Sequence, residues 1–199
     1  MLNTQVARIA LLLGAALALS TGILPVSATP ILSITPSSPV VQPGQSFSLH
    51  VDIANVTDLF ALQFDLAFNP AVLSVASITE GSFLPSGGST FFIPGTIDNT
   101  GGTIAATGDS LLGAIAGVSG SGTLATISLQ ALTLGTSSIT LSHVLLLDSS
   151  LREITVSLGA GSVTVQPATG VPEPSATLLL AVSLAGVFAL GWRRRQRAA

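Results

Sequence analysis

From Ile31 to Val165, apolar and polar side chains alternate with a period of two. Phe47, Leu49, Val51 and Ile53 are interleaved with Ser46, Ser48, His50 and Asp52. Successive side chains of a strand point to opposite sides, so this pattern marks a strand with one face on a core and one in water. Phe60, Leu62, Phe64, Leu66 and Phe68 form a second apolar row, with Gln63 and Asp65 facing away. Ala125, Ile127, Leu129 and Ala131 form a third, between Thr126, Ser128 and Gln130. Further rows are Ile139 and Leu141, then Ile154, Val156 and Leu158, then Val163 and Val165. Shorter candidates are Leu32–Ile34, Val72–Ile78, Thr90–Ile93 and Thr103–Thr107. Turn residues separate the rows at Pro43-Gly44, Asn69-Pro70, Gly87-Gly88, Gly101-Gly102, Gly120-Ser121-Gly122 and Gly159-Ala160-Gly161. No stretch of this region sustains the 3.6-residue period of a helix. About nine short strands with turn punctuation predict an all-β fold, an antiparallel sandwich.

The pattern changes at both ends. Arg8 precedes the apolar run Ile9–Leu19, and Val26-Ser27-Ala28 is a small-residue cleavage site. These are the parts of a signal peptide over residues 1–28, cut between Ala28 and Thr29. Ser20, Thr21, Gly22 and Pro25 break the run, which argues against an N-terminal membrane helix. At the other end, Val171, Pro172, Glu173, Pro174 and Ser175 precede the uncharged run Ala176–Trp192, then Arg193, Arg194, Arg195, Gln196 and Arg197. The run is at the short end of what crosses a bilayer, where about 20 residues is usual. The arginines keep their side in the cytoplasm and leave the preceding domain outside. A single transmembrane helix is therefore expected over 176–192, with 193–199 as its basic tail.

A Pro-Glu-Pro turn, a short apolar helix and an arginine cluster, in that order, resemble a PEP-CTERM sorting signal, here residues 169–199. The resemblance implies a bacterial protein exported across the inner membrane and held there transiently. An exosortase-like membrane protease would then cut it near Pro172-Glu173-Pro174. An ordinary C-terminal anchor would place the same domain outside but keep it attached.

The domain between the two ends, residues 29–168, is long enough for a core of its own. The chain has no cysteine, so no disulfide supports that core. Eight acids (Asp52, Asp58, Asp65, Glu80, Asp98, Asp109, Asp148, Glu153) face one base, Arg152, a balance of −7. Such a domain lacks the basic patches that displace counterions from phosphates, which excludes nucleic acid as its partner.

Few residues suggest chemistry. A glycosidase needs two carboxylates roughly 5–10 Å apart, and Asp98 and Asp109 are the pair that could meet across the glycine-rich 95–110 stretch. Asp98-Asn99-Thr100-Gly101 is also ordinary turn chemistry, the favoured reading. Gly117-Val118-Ser119-Gly120-Ser121-Gly122 opens no helix and reads as a flexible loop rather than a phosphate cradle. His143 falls in the apolar register of Ile139, Leu141, Leu145 and Leu147, which predicts a core or edge histidine bonded to backbone. His50 faces outward with no carboxylate cluster beside it in sequence. Asp98, Asn99, Asp109 and Asp148 could offer loop oxygens to calcium, but their spacing matches no calcium loop. No catalytic residue, metal site or cofactor is expected. Sugar-binding faces stack rings on exposed aromatics; the domain has neither tyrosine nor tryptophan, and Phe47, Phe60, Phe64 and Phe68 belong to core rows. Phe83, Phe91 and Phe92 remain as a platform. Phe91 and Phe92, being adjacent in a strand, face opposite ways, and they are the ligand-binding candidates.

The order of motifs resembles a cohesin domain. Val41-Gln42-Pro43-Gly44-Gln45-Ser46-Phe47 is similar to the entry turn into its first long strand. Asn55-Val56 and Leu59 to Pro70 are similar to its central hairpin and an aromatic-Asp-Pro corner, with Asn69 in place of Asp. Leu73-Ser74-Val75, Glu80-Gly81, Gly122-Thr123-Leu124-Ala125-Thr126-Ile127, Leu147-Asp148 and Gly161–Val165 follow in family order. The resemblance implies a nine-stranded antiparallel jelly-roll sandwich, related to carbohydrate-binding modules, that binds rather than catalyses. It also implies a partner, either a dockerin-like protein or a polysaccharide, met at the cell surface or in the extracellular matrix. The alternatives are a structural matrix protein without a specific ligand and a membrane-anchored surface domain.

Overall fold

The structure, a computed structural model, describes residues 28–168 of the chain. The expected signal peptide, as far as Ser27, lies outside the described residues. So do the motif Val171–Pro174, the helix expected over 176–192, and Arg193, Arg194, Arg195 and Arg197. Among the described residues no helix is long and apolar enough to cross a membrane. Ala28 and Thr29 are exposed and lead into the first strand.

The strands are β1 (Ile31–Pro36), β2 (Val40–Val41), β3 (Ser46–Ala67), β4 (Leu73–Glu80), β5 (Thr90–Ile93), β6 (Thr96–Asp98), β7 (Thr103–Leu111), β8 (Val118–Ala131), β9 (Gly135–Asp148), β10 (Ser157–Leu158) and β11 (Gly161–Val165). One 3-10 turn, Leu84–Gly87, lies between β4 and β5. Among the described residues that is eleven segments against the nine expected, and β2 and β10 hold two residues each. The pairing is antiparallel except for two short parallel pairs, β1 with β10 and β11 with β2.

Two layers follow from the register of β3. Its first half, Ser46–Ala54, lies between β1 and β8, and β8 also pairs β4. Its second half, Leu59–Ala67, lies between β9 and β7. There β9 leads to β11, and β7 leads to β5 and β6. The inward rows Phe47, Leu49, Val51 and Ile53 of one layer meet Leu62, Phe64 and Leu66 of the other, all buried. The alternating rows read from sequence therefore form the core.

The expected hairpin after Asn55 is absent: β3 is one continuous strand that passes from one layer to the other. It bends at Asn55 and Asp58, whose φ angles of 58° and 60° lie in the left-handed region that polar short side chains tolerate best. The bend frees two backbone donors. Ser121 Oγ accepts the Asn55 N–H at 3.1 Å, and Ser119 Oγ accepts the Asp58 N–H at 2.9 Å. Both serines belong to the expected flexible loop, which is instead the start of β8, paired with the bend through Val56–Gly120 and Leu59–Val118. A buried or bent backbone must place its donors, and these hydroxyls do so. The bend also swaps the inward position: Leu59 is fully buried, while Phe60 is only packed against the core margin.

Asp58 closes the corner. Its Oδ1 accepts the Gly117 N–H at 2.7 Å, and its Oδ2 accepts the Ser149 hydroxyl at 2.6 Å and N–H at 3.2 Å. The Ser149 hydroxyl first, and the Gly117 N–H second, hold this carboxyl below its ordinary range. A Cβ at Gly117 would run into the Asp58 backbone. Gly117→Ala is therefore expected to destabilise the domain by about 1–3 kcal/mol. A thermal melt unchanged from wild type would count against this account of the corner.

A second irregularity reverses an expectation. His143, with φ 48°, forms a bulge in β9: Ser142 pairs Asp65 and Leu145 pairs Gln63, so the register slips between them. Beyond the bulge Leu146 points inward, while Leu145 and Leu147 turn outward. His143 is not in the core. Its side chain is 78% exposed and its Nδ1 lies 2.8 Å from Asp65 Oδ2. An extra residue in one strand shifts the alternation by one position, which periodicity cannot show. The expected row Ile154–Leu158 likewise reduces to a single bridge, Leu147 to Glu153, and β10.

Candidate functional site

The outer face of the β9–β3–β7–β5 layer carries a surface groove. Two rows cross all four strands in register. Leu147, Ala61, Ser110 and Phe91 form one; Leu145, Gln63, Gly108 and Ile93 form the other. Ala61, Ser110 and Gly108 are small and make a floor. Phe91 and Ile93 stand as one wall, Leu145 and Leu147 as the other. The result is a groove of about 240 Å³. Phe91 is 59% exposed and Ile93 47%, an unusual pairing on an edge strand of four residues. Side chains two apart on β5 share a face, so Phe91 and Ile93 point out while Phe92 packs against the core. Thus Phe91 lines the groove and Phe92 supports it from behind.

Beside the groove, Asp65 gathers the next row. Its Oδ1 accepts the N–H of Ala106 at 2.7 Å, and its Oδ2 holds His143. Ala106, like His143, has a left-handed φ, 56°, at a bulge. One carboxylate on β3 therefore ties a bulge in β7 to a bulge in β9, and it presents an imidazole next to Leu145. His50 faces outward on the other layer, its Nδ1 3.2 Å from Thr126 Oγ1.

The acids considered for chemistry do other things. Asp98 Oδ1 accepts the N–H groups of Thr100 and Gly101, a turn, and the Gly101 and then Thr100 bonds hold its carboxyl below the ordinary range. Asn99 clamps Val75, giving its amide to the carbonyl and accepting the N–H. Asp148 Oδ1 accepts the N–H groups of Ser150 and Arg152. Thr103, the partner of Asp98, is six residues from Asp109 along β7, about 20 Å. The two carboxylates do not converge on the glycosidase distance. Among the described residues, no three His, Asp or Glu side chains gather as a metal cluster.

Asp109 is the exception to this pattern of satisfied turns. It points inward from β7, is 4% exposed, and neither carboxylate oxygen has a donor. Burial first, and the nearby Glu80 second, push its carboxyl up to about 7. Glu80, at the end of β4, accepts a hydrogen bond from the Thr90 hydroxyl of β5.

The groove residues Ala61, Gln63, Ile93, Gly108, Leu145 and Leu147 escaped sequence reasoning, Phe91 apart. The one available signal was the alternation of Thr90-Phe91-Phe92-Ile93, which puts Ile93 on the side of Phe91.

The fold and this face define the class first: an all-β module with a groove on an open sheet face. The chain belongs to the cohesin family, whose description, Cohesin domain, matches residues 32–165. A PEP-CTERM protein-sorting motif matches residues 170–195. Among solved structures, the chain is similar to a non-cellulosomal cohesin from the archaeon Archaeoglobus fulgidus, at 17% identity and a TM-score of 0.58, over 71% of this chain and 94% of that one. It is similar to a cohesin–dockerin complex from Clostridium thermocellum, at 19% identity and a TM-score of 0.59, over 70% and 100%. A type II cohesin domain from the cellulosome of Acetivibrio cellulolyticus matches at 16% identity and a TM-score of 0.55, over 68% and 95%. At these identities the likeness establishes the fold. No curated protein matches the chain.

Proposed function

We propose that this protein is an exported, non-catalytic binding module of cohesin type whose groove on the β9–β3–β7–β5 face receives a dockerin-like protein module. The observation that carries the reading is the pair of in-register rows: small residues on the floor, apolar walls on both sides, and the Asp65–His143 pair at the margin. Interfaces of this kind place exposed apolar anchors at the centre and polar groups at the rim. The similar Clostridium thermocellum structure was solved with a dockerin, which supports a protein occupant. A polysaccharide is the weaker alternative, because Phe91 is a single outward ring on this face and sugar stacking favours several.

The sorting motif supports a route for the protein. The signal peptide, residues 1–28, is removed between Ala28 and Thr29. The 176–192 helix and Arg193–Arg197 hold the chain in the inner membrane until an exosortase-like protease cuts near Pro172-Glu173-Pro174. The domain, residues 29–168, then acts at the cell surface or in the extracellular matrix. Intact mass of the protein from surface and medium fractions tests the route. A species from Thr29 to the Pro172–Pro174 region supports it, and one that retains Ala176–Ala199 makes the protein a membrane-anchored surface domain.

Gly108→Val tests the groove. A Cβ at Gly108 meets only the Leu62 carbonyl, at 3.5 Å, an ordinary contact, so the added side chain projects into the groove without disturbing the sheet. The variant is expected to keep its melting temperature and lose binding to the dockerin-type modules of its host by at least about 30-fold. Binding left intact by Gly108→Val would place the partner elsewhere. Binding to a glycan array in place of protein modules would favour the polysaccharide.

A further inference from the structure

We propose that Asp109 and Glu80 form a proton-operated latch: with a proton between them they hold β5 against β4 across the open edge of the sandwich, and without it β5 loosens, carrying away the Phe91–Ile93 wall of the groove.

The argument starts from the sheet edges. In their layers β4 pairs only β8, and β5 pairs only β7. No backbone ladder joins β4 to β5. The recorded side-chain hydrogen bond between them runs from the Thr90 hydroxyl to Glu80. Asp109 is the β7 partner of Phe92, so its carboxyl sits directly behind β5. The faces around it offer no help: β3 turns Leu62 and Phe64 inward, β5 turns Phe92, and the 3-10 turn turns Leu84. Asp65 of β3 lies on the outer face of the sheet, bonded to Ala106 and His143. Glu80 is the titratable group that acts on Asp109, and it too is an acid.

Asp109 has two acceptor oxygens and no donor, and half-buried Glu80 has the Thr90 hydroxyl as its donor. A buried acceptor without a donor is costly, and two like charges there are more so. One proton removes both problems, because it neutralises one acid and gives the other a donor. The raised Asp109 carboxyl places that change near neutrality, where a surface protein meets real variation of pH. When the proton leaves, the relief available is movement of the edge strand. β5 has four residues, one neighbour and one tie to β4, so it belongs to the least stable part of the sheet.

The inference rests on the groove as the docking site for its meaning, but the test does not. Amide hydrogen exchange of the full chain in detergent, corrected for intrinsic rates, is followed from pH 6 to 8.5. Protection of Thr90–Ile93 is expected to fall by about tenfold or more, while protection of Ala125–Leu129 in β8 stays level. In Asp109→Asn, which is neutral throughout, the fall is expected to vanish. In Glu80→Gln the amide supplies Asp109 with a donor and removes the like charge, so protection at pH 8.5 is expected to persist.

A flat profile in the wild type, or a fall retained in Asp109→Asn, overturns the latch. So does recovery of protection at pH 8.5 on adding calcium, which would make the pair a cation site. Loss of partner binding in Gly108→Val at pH 6, combined with a flat exchange profile, would sink the latch and leave the docking face standing. The opposite pair of results would sink the docking face alone.

Discussion

Replacing Phe64 with alanine is expected to remove about 3–5 kcal/mol of stability. Phe64 is 1% exposed and is among the largest side chains fully enclosed by the core. It lies in the half of β3 that is central to its layer, between β7 and β9. Neighbours fixed by two ladders cannot collapse into the space, so the cavity cost adds to the lost transfer energy. With no cysteine in the chain there is no disulfide to compensate. For a domain of this length each kcal/mol is worth roughly 2–5 °C, so the melting temperature should fall by about 10–20 °C. Urea unfolding that shows a loss below about 1 kcal/mol would mean that the two layers pack less tightly than described.

Asp109→Asn should act in the opposite direction, by an amount that grows as pH rises from about 4 to about 7. In the wild type the carboxyl is pushed up to about 7, from an ordinary value of 3.8 that the unfolded chain restores. A raised acid contributes stability that is fully present below about 3.8 and is lost as pH rises through about 7. The unfolded chain binds fewer protons than the folded one in that window, so stability falls there. Each pKa unit corresponds to about 1.4 kcal/mol. Relaxation of β5 and sharing of the proton with Glu80 reduce the full difference, and we expect the variant to exceed wild type by about 2 kcal/mol at pH 8. Near pH 4 the two should coincide. Asp58 and Asp98 are held low by hydrogen bonds, so their contributions are present above the ordinary carboxylate range and lost in acid. Both proteins share that acid limb. Parallel curves for the two between pH 5 and 8 would dismiss Asp109 as the source of the alkaline loss.

The strands were legible wherever pairing is regular. The rows at Phe47–Ile53, Leu62–Phe68 and Ala125–Ala131 lie inward as their alternation requires, because the extra residues opposite Asp65 belong to β7 and β9 and leave the alternation of β3 itself intact. Legibility ended at the bulges. Asn55, Asp58, Ala106 and His143 have left-handed backbones that let a strand bend or gain a residue without a glycine. Local composition gives no sign of them. The Gly117–Gly122 segment has the composition of a loop, yet it is a strand because its serines bond the donors freed by the bend in β3. The Leu145-Leu146-Leu147 run has no readable period, and the bulge at His143 decides which leucine is buried.

Determined by the sequence alone were the all-β class, the inward rows of the regular strands, the C-terminal sorting motif, the acidity of the domain and the lack of disulfides. Each depends on residue type or on spacing within a few positions. Only the tertiary structure decided that β3 belongs to both layers. It also decided that Ala61, Gly108, Phe91 and Leu145 share one groove, and that Asp109 is buried with half-exposed Glu80 near it. Those pairs are separated by tens of residues, and long-range register alone brings them together. A shift of one position in any of the four strands would turn the floor of the groove into core.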